Sequence, residues 1–192
     1  MPALREDDLD PDPLVQFLAW YAEAGTDAVA LVTASAGGEP DGRMVLLKGA
    51  GEDGFSFYTN YTSPKARDLE ANPRAALLFY WPPDRQVRVG GPVTRVDDGE
   101  TERYWRSRPR GSQLSAWASH QSEVIPSRAV LEARWAELDA RFPGEVPRPP
   151  FWGGYRLVPA TVEFWQRGED RLHDRLRYRR DGSRWVVERL AP

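Results

Sequence analysis

Between residues 28 and 96 the chain is a train of short apolar segments: AVALVTAS (28–35), GRMVLLK (42–48), FSFYTN (55–60), RAALLFYW (74–81) and RQVRVGGPVTRV (85–96). GGEP, GAGEDG and PPD turns separate them. Their length and punctuation predict strands joined by tight turns. A doubly wound parallel sheet needs regular helices of 10–15 residues between successive strands, and this spacing lacks them. An antiparallel sheet or barrel is the expectation.

Helical signals flank this train and interrupt it once. Asp12 is placed to cap a helix with Pro13 in its first turn; Leu14, Phe17, Leu18 and Tyr21 form its stripe, and Gly25 ends it. Ser63 and Pro64 open a short helix that Asn72-Pro73 stops. Helical patterns follow near 98–107, 112–119 and 126–142, the last with Val130, Leu131, Trp135 and Leu138. After the GEVPRPP break at 144–150 come YRLVPATVEFWQ (155–166) and a hairpin turning at Asp181-Gly182. There is no internal repeat. The predicted architecture is mainly β, one barrel domain with peripheral helices over residues 13–192, preceded by a flexible acidic arm over 1–12 that carries five acids against Arg5.

Composition narrows the chemistry. Among 192 residues there is no cysteine and only two histidines, His120 and His173, which excludes disulfides, thiolate nucleophiles and Cys-ligated metals. No metal site is expected. A net charge of -3 argues against a general nucleic-acid binder. No signal peptide and no run approaching 18 apolar residues is visible, so the expectation is a cytoplasmic protein without a membrane partner. The positive charge is 24 Arg and only two Lys, Lys48 and Lys65.

Four regions carry candidate chemistry. Arg43 and Lys48 bracket an apolar strand and fall on opposite faces if it is regular. Lys65 sits in the first turn of the short helix, where free backbone N–H groups and the helix dipole favour an anion; Tyr58 and Thr59 end the preceding strand at the same corner. The other reading is a Ser63 cap with Lys65 in water. In YWRSRPRGS (104–112), Tyr104 and Arg108 share a face if the helix reaches them, and with Ser112 they could clamp a phosphate; a solvated basic surface is the alternative. Arg171, His173 and Arg175 alternate if extended, and His173 could protonate or orient a substrate. Residue chemistry alone therefore supports a barrel with two phosphate-sized anion sites and no named reaction.

RMVLLK, FYTNYTSPKA, RQVRVGG, YWRSRPRGS, SHQS, PPFWGGYRL and VEFWQRGEDRLHDR, in this order, resemble the pyridoxine (pyridoxamine) 5′-phosphate oxidase family over residues 12 to 192. The resemblance implies an FMN-binding split β-barrel, working as a homodimer with FMN between subunits. The FMN residues it implies are Arg43, Met44, Val45, Leu46, Leu47, Lys48, Tyr58, Thr59, Lys65, Gln86, Gln121, Ser122, Trp165 and Arg175. Arg43 and Lys65 would face the flavin phosphate. Lys48, Tyr104, Arg108 and Ser112 would hold the substrate phosphate, with Arg171 and His173 beside the pyridine ring as the catalytic pair. The implied reaction oxidises pyridoxamine or pyridoxine 5′-phosphate to pyridoxal 5′-phosphate, passing hydride to the flavin and then electrons to oxygen. A related FMN enzyme on another cyclic substrate and a non-catalytic flavin or pyridoxal-phosphate binder are the alternatives. The chain departs from the family at Pro64, where many relatives have a basic residue, and in lacking an upstream Arg-x-x-Tyr segment, which implies a more open or differently lidded pocket.

Overall fold

The computed structural model describes residues 3–192. Its helix α1 (Pro13–Ala24) starts where Asp12 accepts the Leu14 N–H at 2.9 Å and ends at Gly25, whose φ of 64° lies in the left-handed region. Pro13, Gln16, Phe17 and Trp20 are the buried residues of α1, whereas Leu18 is exposed. The apolar stripe is thus rotated from the expected one, because two large rings, Phe17 and Trp20, turn inward. Phe17 meets Phe55 at 4.8 Å and Phe79 at 5.0 Å between ring centres, both edge-on.

The predicted strand train folds as strands β1 (Ala28–Ala34), β2 (Pro40–Leu46), β3 (Gly49–Gly51), β4 (Gly54–Asn60), β5 (Arg74–Trp81) and β6 (Arg85–Arg95), with α2 (Pro64–Ala71) before β5. Helices α3 (Asp98–Ser107), α4 (Arg110–Ala118) and α5 (Arg128–Arg141) follow, then β7 (Trp152–Leu157), β8 (Thr161–Gln166), β9 (Asp174–Asp181) and β10 (Arg184–Arg189). The strands run in the order β10-β9-β8-β6-β5-β1-β2, and every neighbouring pair is antiparallel.

Strand β6 divides the sheet. Its first half pairs with β8 and its end pairs with β7, which continues to β4 and β3. The change of partner falls at Gly90-Gly91-Pro92, and a Cβ on Gly91 would lie 2.0 Å from the Val158 carbonyl oxygen, so only glycine permits this crossing. Alternation along the strands directs Val29, Leu31, Leu77, Phe79, Val87, Val89, Phe164 and Leu176 into one core with α1. A second cluster of Trp105, Leu114, Val146 and Trp152 forms beneath α3 and α4. The fold is a mainly β split barrel with peripheral helices, as expected.

The flexible arm expected over 1–12 is corrected for residues 3–12. Leu4 and Leu9 join the main core, the Leu4 N–H donates to Asp174 Oδ2 at 2.9 Å, and the Tyr178 hydroxyl donates to the Asp10 carbonyl at 2.6 Å. Two leucines within the acidic run supply the apolar grip, and Arg189 answers the charge by pairing with Glu6 and Asp174. Met1 and Pro2 of that expected arm lie outside the described residues. Among the described residues no helix is long and apolar enough to cross a membrane, and no group of three side chains could hold a metal ion.

Candidate active site

The first half of the site forms where β2, β4 and the start of α2 meet. Lys65 is 5% exposed, and its Nζ donates to Gln121 Oε1 at 3.0 Å, an oxygen that also accepts from the Thr59 hydroxyl at 2.9 Å. Burial, assisted by the nearby Arg43 charge and opposed by Asp41, lowers the Lys65 pKa from 10.5 to about 8. Arg43 donates to the Thr33 hydroxyl at 2.7 Å and to the Leu31 carbonyl at 3.3 Å, pairs with Asp41, and lies 3.9 Å from Asp68.

Ser63 is the N-cap residue of α2, but its side chain does not make the expected cap bond. Its carbonyl accepts from Ala66 N and Arg67 N, while its hydroxyl is buried without a hydrogen-bond partner among the described residues. Among the described residues, a buried hydroxyl with no partner, a buried lysine without a carboxylate and a helix start together give this corner the chemistry that suits an anion. The alternative reading, with Lys65 in water, is not what the chain builds.

A cavity of about 390 Å³ opens from this corner and is lined by Arg43, Met44, Val45, Leu46, Lys48, Tyr58, Thr59, Lys65, Tyr104, Arg108, Gln121, Ser122 and Trp152. Leu47 is the exception in its segment, since its side chain is buried in the core. Strand β2 ends at Leu46, so Lys48 lies past the strand and the expected opposition of Arg43 and Lys48 across a regular strand does not apply. Lys48 N donates to Ser56 O at 2.8 Å and its Nζ pairs with Asp27.

Helix α3 stops at Ser107, which leaves Arg108 extended at its C-terminus and off the helical face expected for Tyr104 and Arg108 together. They still reach the same cavity. Tyr104 stacks on Tyr58 at 4.1 Å, and the Arg108 guanidinium lies 4.6 Å above the Trp152 ring and 5.3 Å above that of Trp105. Arg108 Nη1 is buried without a hydrogen-bond partner among the described residues, and burial lowers the pKa of the group. A guanidinium in this state is poised for an anion. Ser112 lines an adjoining cavity of about 350 Å³ that shares Tyr58, Thr59, Arg108, Gln121 and Trp152 with the first.

The second half lies elsewhere on the barrel. Gln86, Trp165 and Arg175 face one another in register across β6, β8 and β9. Arg175 Nε donates to Glu163 Oε1 at 2.8 Å, and the buried Glu163 also pairs with Arg88. The residues before β9 form a tight turn instead of an extended run, so the expected alternation of Arg171, His173 and Arg175 is replaced by a loop presenting the first two. Asp170 and Arg171 take positive φ of 50° and 65°, and Gly168 N donates to His173 Nδ1 at 3.2 Å. A Cβ on Gly168 would sit 1.9 Å from the Leu172 carbonyl oxygen, so the loop closes only around glycine. His173 packs against Trp165 at 4.7 Å, and Arg171 and His173 line a separate cavity of about 720 Å³. Ser122, in the first half, also has a positive φ, 72°. Backbone strain at three non-glycine residues thus falls in the two loops that bear candidate residues.

The two halves do not meet through the sheet, because β1, β5 and β6 stand between β2 and β8. Between them runs the outer sheet face, where Met44 and Tyr80 are 64% and 56% exposed.

The model of the pyridoxamine 5′-phosphate oxidase family matches residues 16–142, and that of the pyridoxine 5′-phosphate oxidase C-terminal dimerisation region matches residues 152–192. The chain belongs to the pyridoxamine 5′-phosphate oxidase family. The pyridoxine/pyridoxamine 5′-phosphate oxidase of Rubrobacter xylanophilus is 55% identical over 98% of this chain and 91% of its own, and that of Cupriavidus taiwanensis is 52% identical over 99% and 93%. The crystal structure of PhzG from Burkholderia lata, in complex with tetrahydrophenazine-1-carboxylic acid, superposes with a TM-score of 0.93 at 34% identity, covering 100% of this chain and 99% of that one. A pyridoxamine 5′-phosphate oxidase-related, FMN-binding protein from Nostoc punctiforme shares the fold at 21% identity, with a TM-score of 0.75 over 96% of this chain and 100% of that one.

Within this oxidase family the split barrel is an FMN-binding fold, and the segment matched by the dimerisation-region model contains all of the second half of the site except Gln86: Trp165, Arg171, His173 and Arg175. Sequence reasoning missed three residues beside the candidate site: Ser63, with its unpartnered buried hydroxyl, Trp152, which lines the cavity, and Glu163, which pairs with Arg175. Ser63 was visible only as a cap, while Trp152 and Glu163 declare themselves only through contacts across strands.

Proposed function

We propose that this chain is an FMN-dependent oxidase that converts pyridoxamine 5′-phosphate, oxygen and water to pyridoxal 5′-phosphate, ammonia and hydrogen peroxide. Pyridoxine 5′-phosphate and oxygen give pyridoxal 5′-phosphate and hydrogen peroxide. One observation carries the reading: a single cavity holds two cations without carboxylate partners among the described residues, Lys65 at one place and Arg108 at another. One phosphate of the cofactor and one of the substrate account for both.

The residues fit FMN. Arg43, Lys65 and the unpartnered Ser63 hydroxyl would take its phosphate, with Thr59, Gln121 and Ser122 beside it. Met44, Val45, Leu46, Lys48 and Tyr58 would line its length, and Gln86, Trp165 and Arg175 would complete the site. Bound FMN supplies the two-electron acceptor, and oxygen takes those electrons onward as hydrogen peroxide.

The chain's own residues bind and orient the substrate. Arg108, with Tyr104, Ser112 and Lys48, would grip its phosphate, and alignment is the larger part of what such a reaction needs. His173 accepts the Gly168 N–H at Nδ1, which in the neutral ring leaves the proton on Nε2 as a donor toward the substrate. Arg171 would add a positive charge from a loop in which Asp170 and Arg171 take positive φ.

The two separated halves support a homodimer in which each site takes one half from each subunit, and the exposed apolar outer face offers the surface to bury. Residues 13–192 would act as one oxidase domain. The superposition with PhzG favours a second reading, oxidation of a carboxylated cyclic substrate with Arg108 on the carboxylate.

Purified protein loaded with FMN should form pyridoxal 5′-phosphate and peroxide from pyridoxamine 5′-phosphate under air. Turnover of a cyclic carboxylic acid but of neither phosphorylated vitamer would replace the first reading with the second.

A further inference from the structure

Trp152 opens β7, pinned by its N–H to the Pro149 carbonyl at 3.1 Å and opposite Asn60 in the β4–β7 register. Its ring stacks on Tyr58 at 5.4 Å with 14° between planes, is nearly parallel to Tyr104 at 6.1 Å, and meets Trp105 edge-on at 4.9 Å. Over this ring, at 4.6 Å, lies the Arg108 guanidinium. Three other cations of the site are held differently: Arg43, Lys48 and Arg175 each have a carboxylate. Arg108 has none among the described residues, and its buried Nη1 has no hydrogen-bond partner.

The difference has a consequence for anion binding. A carboxylate would fix the guanidinium but would neutralise it and compete with an incoming phosphate. An aromatic face fixes it through its quadrupole and leaves the full charge and the in-plane N–H donors available. Trp152 also touches Tyr104, so a single ring sets two of the groups assigned to the substrate phosphate.

We infer that Trp152 is a positioning residue for substrate recognition, holding Arg108 and Tyr104 so that the site selects a phosphate ester over the corresponding free alcohol. This rests on the substrate reading above. Selectivity for the phosphate then depends on the ring as well as on the cation.

The test compares Trp152→Leu and Trp152→Phe with the wild type, all loaded with FMN. Two ratios are measured: kcat/KM for pyridoxamine 5′-phosphate over pyridoxamine, and the dissociation constants of pyridoxal over pyridoxal 5′-phosphate by absorbance titration. Losing the cation–π contact in Trp152→Leu should lower both ratios about tenfold, with the kinetic loss in KM; the weaker face in Trp152→Phe should lower them roughly two- to threefold. Wild-type ratios in both variants would overturn the inference. Should the leucine variant not fold, the phenylalanine variant decides alone, and an unchanged ratio overturns the inference equally. A wild-type protein with no preference for the phosphate ester contradicts the substrate reading itself, a separate failure from variants that keep a wild-type preference.

Discussion

Lys65 and Gln121 are joined by a 3.0 Å hydrogen bond in which a buried ammonium donates to a neutral amide oxygen, with no carboxylate among the described residues paired to the charge. Burial and Arg43 accordingly bring the Lys65 pKa down to about 8. The sign of the pH effect follows. Between about 8 and 10.5 the unfolded chain keeps this proton and the folded cofactor-free chain has lost it, so this group makes stability rise with pH across that window. Binding of the flavin phosphate favours the charged lysine, so above about pH 8 binding takes up a proton and FMN affinity should fall as pH rises. Fluorescence titrations from pH 7 to 10 check this. Lys65→Ala should raise the FMN dissociation constant on the order of tenfold or more and flatten its pH dependence. A wild-type dissociation constant independent of pH would contradict the role of Lys65.

Arg108→Ala removes the second unpaired cation. A charge-assisted hydrogen bond contributes about 1.5–3 kcal/mol, so KM for pyridoxamine 5′-phosphate should rise roughly 10- to 100-fold while the FMN dissociation constant stays within about twofold. Steady-state kinetics and flavin titration separate the two effects. If FMN retention falls instead and substrate KM holds, the two anion positions have been exchanged.

Gly168 closes the loop that presents Arg171 and His173, and a methyl group there would collide with the Leu172 carbonyl oxygen. Gly168→Ala should therefore displace His173 and lower kcat on the order of 100-fold. The loop lies outside the main core, so the thermal midpoint should move little. A variant with wild-type kcat would show that the loop geometry is not needed.

Glu163 is buried between Arg88 and Arg175 on the outer sheet face. Glu163→Ala leaves both arginines without their carboxylate. Because those side chains are 51% and 27% exposed, the expected loss is about 1–2 kcal/mol by urea denaturation, below the cost of breaking a fully buried pair. An unchanged midpoint would mean that solvent already screens the pair.

How far these features were legible in the sequence depended on whether the signal was local. Gly/Pro turns punctuated the strands, and the Asp12 cap and the Asp181-Gly182 turn stood beside the elements they bound, so an antiparallel barrel and the helix positions were readable, while the split form of the barrel followed only from the family resemblance. Ser63 was read from its position alone as a cap. The structure gives its hydroxyl no such bond, because a cap depends on side-chain geometry that the residue type leaves open. The acidic residues of 1–12 concealed Leu4 and Leu9, whose burial needs a surface folded from the far end of the chain. Arg171, His173 and Arg175 look periodic, but Gly168 closes a turn that cancels the period. Trp152 and Glu163 act across strands distant in sequence, where no spacing rule reaches.

The central claim is tested most directly by mixing FMN-loaded protein with pyridoxamine 5′-phosphate under anaerobic conditions and then admitting air. Loss of the oxidised flavin absorbance on mixing, its return with oxygen, and formation of pyridoxal 5′-phosphate and hydrogen peroxide are the predicted result. Flavin absorbance that stays unchanged with both pyridoxamine and pyridoxine 5′-phosphate would contradict the account.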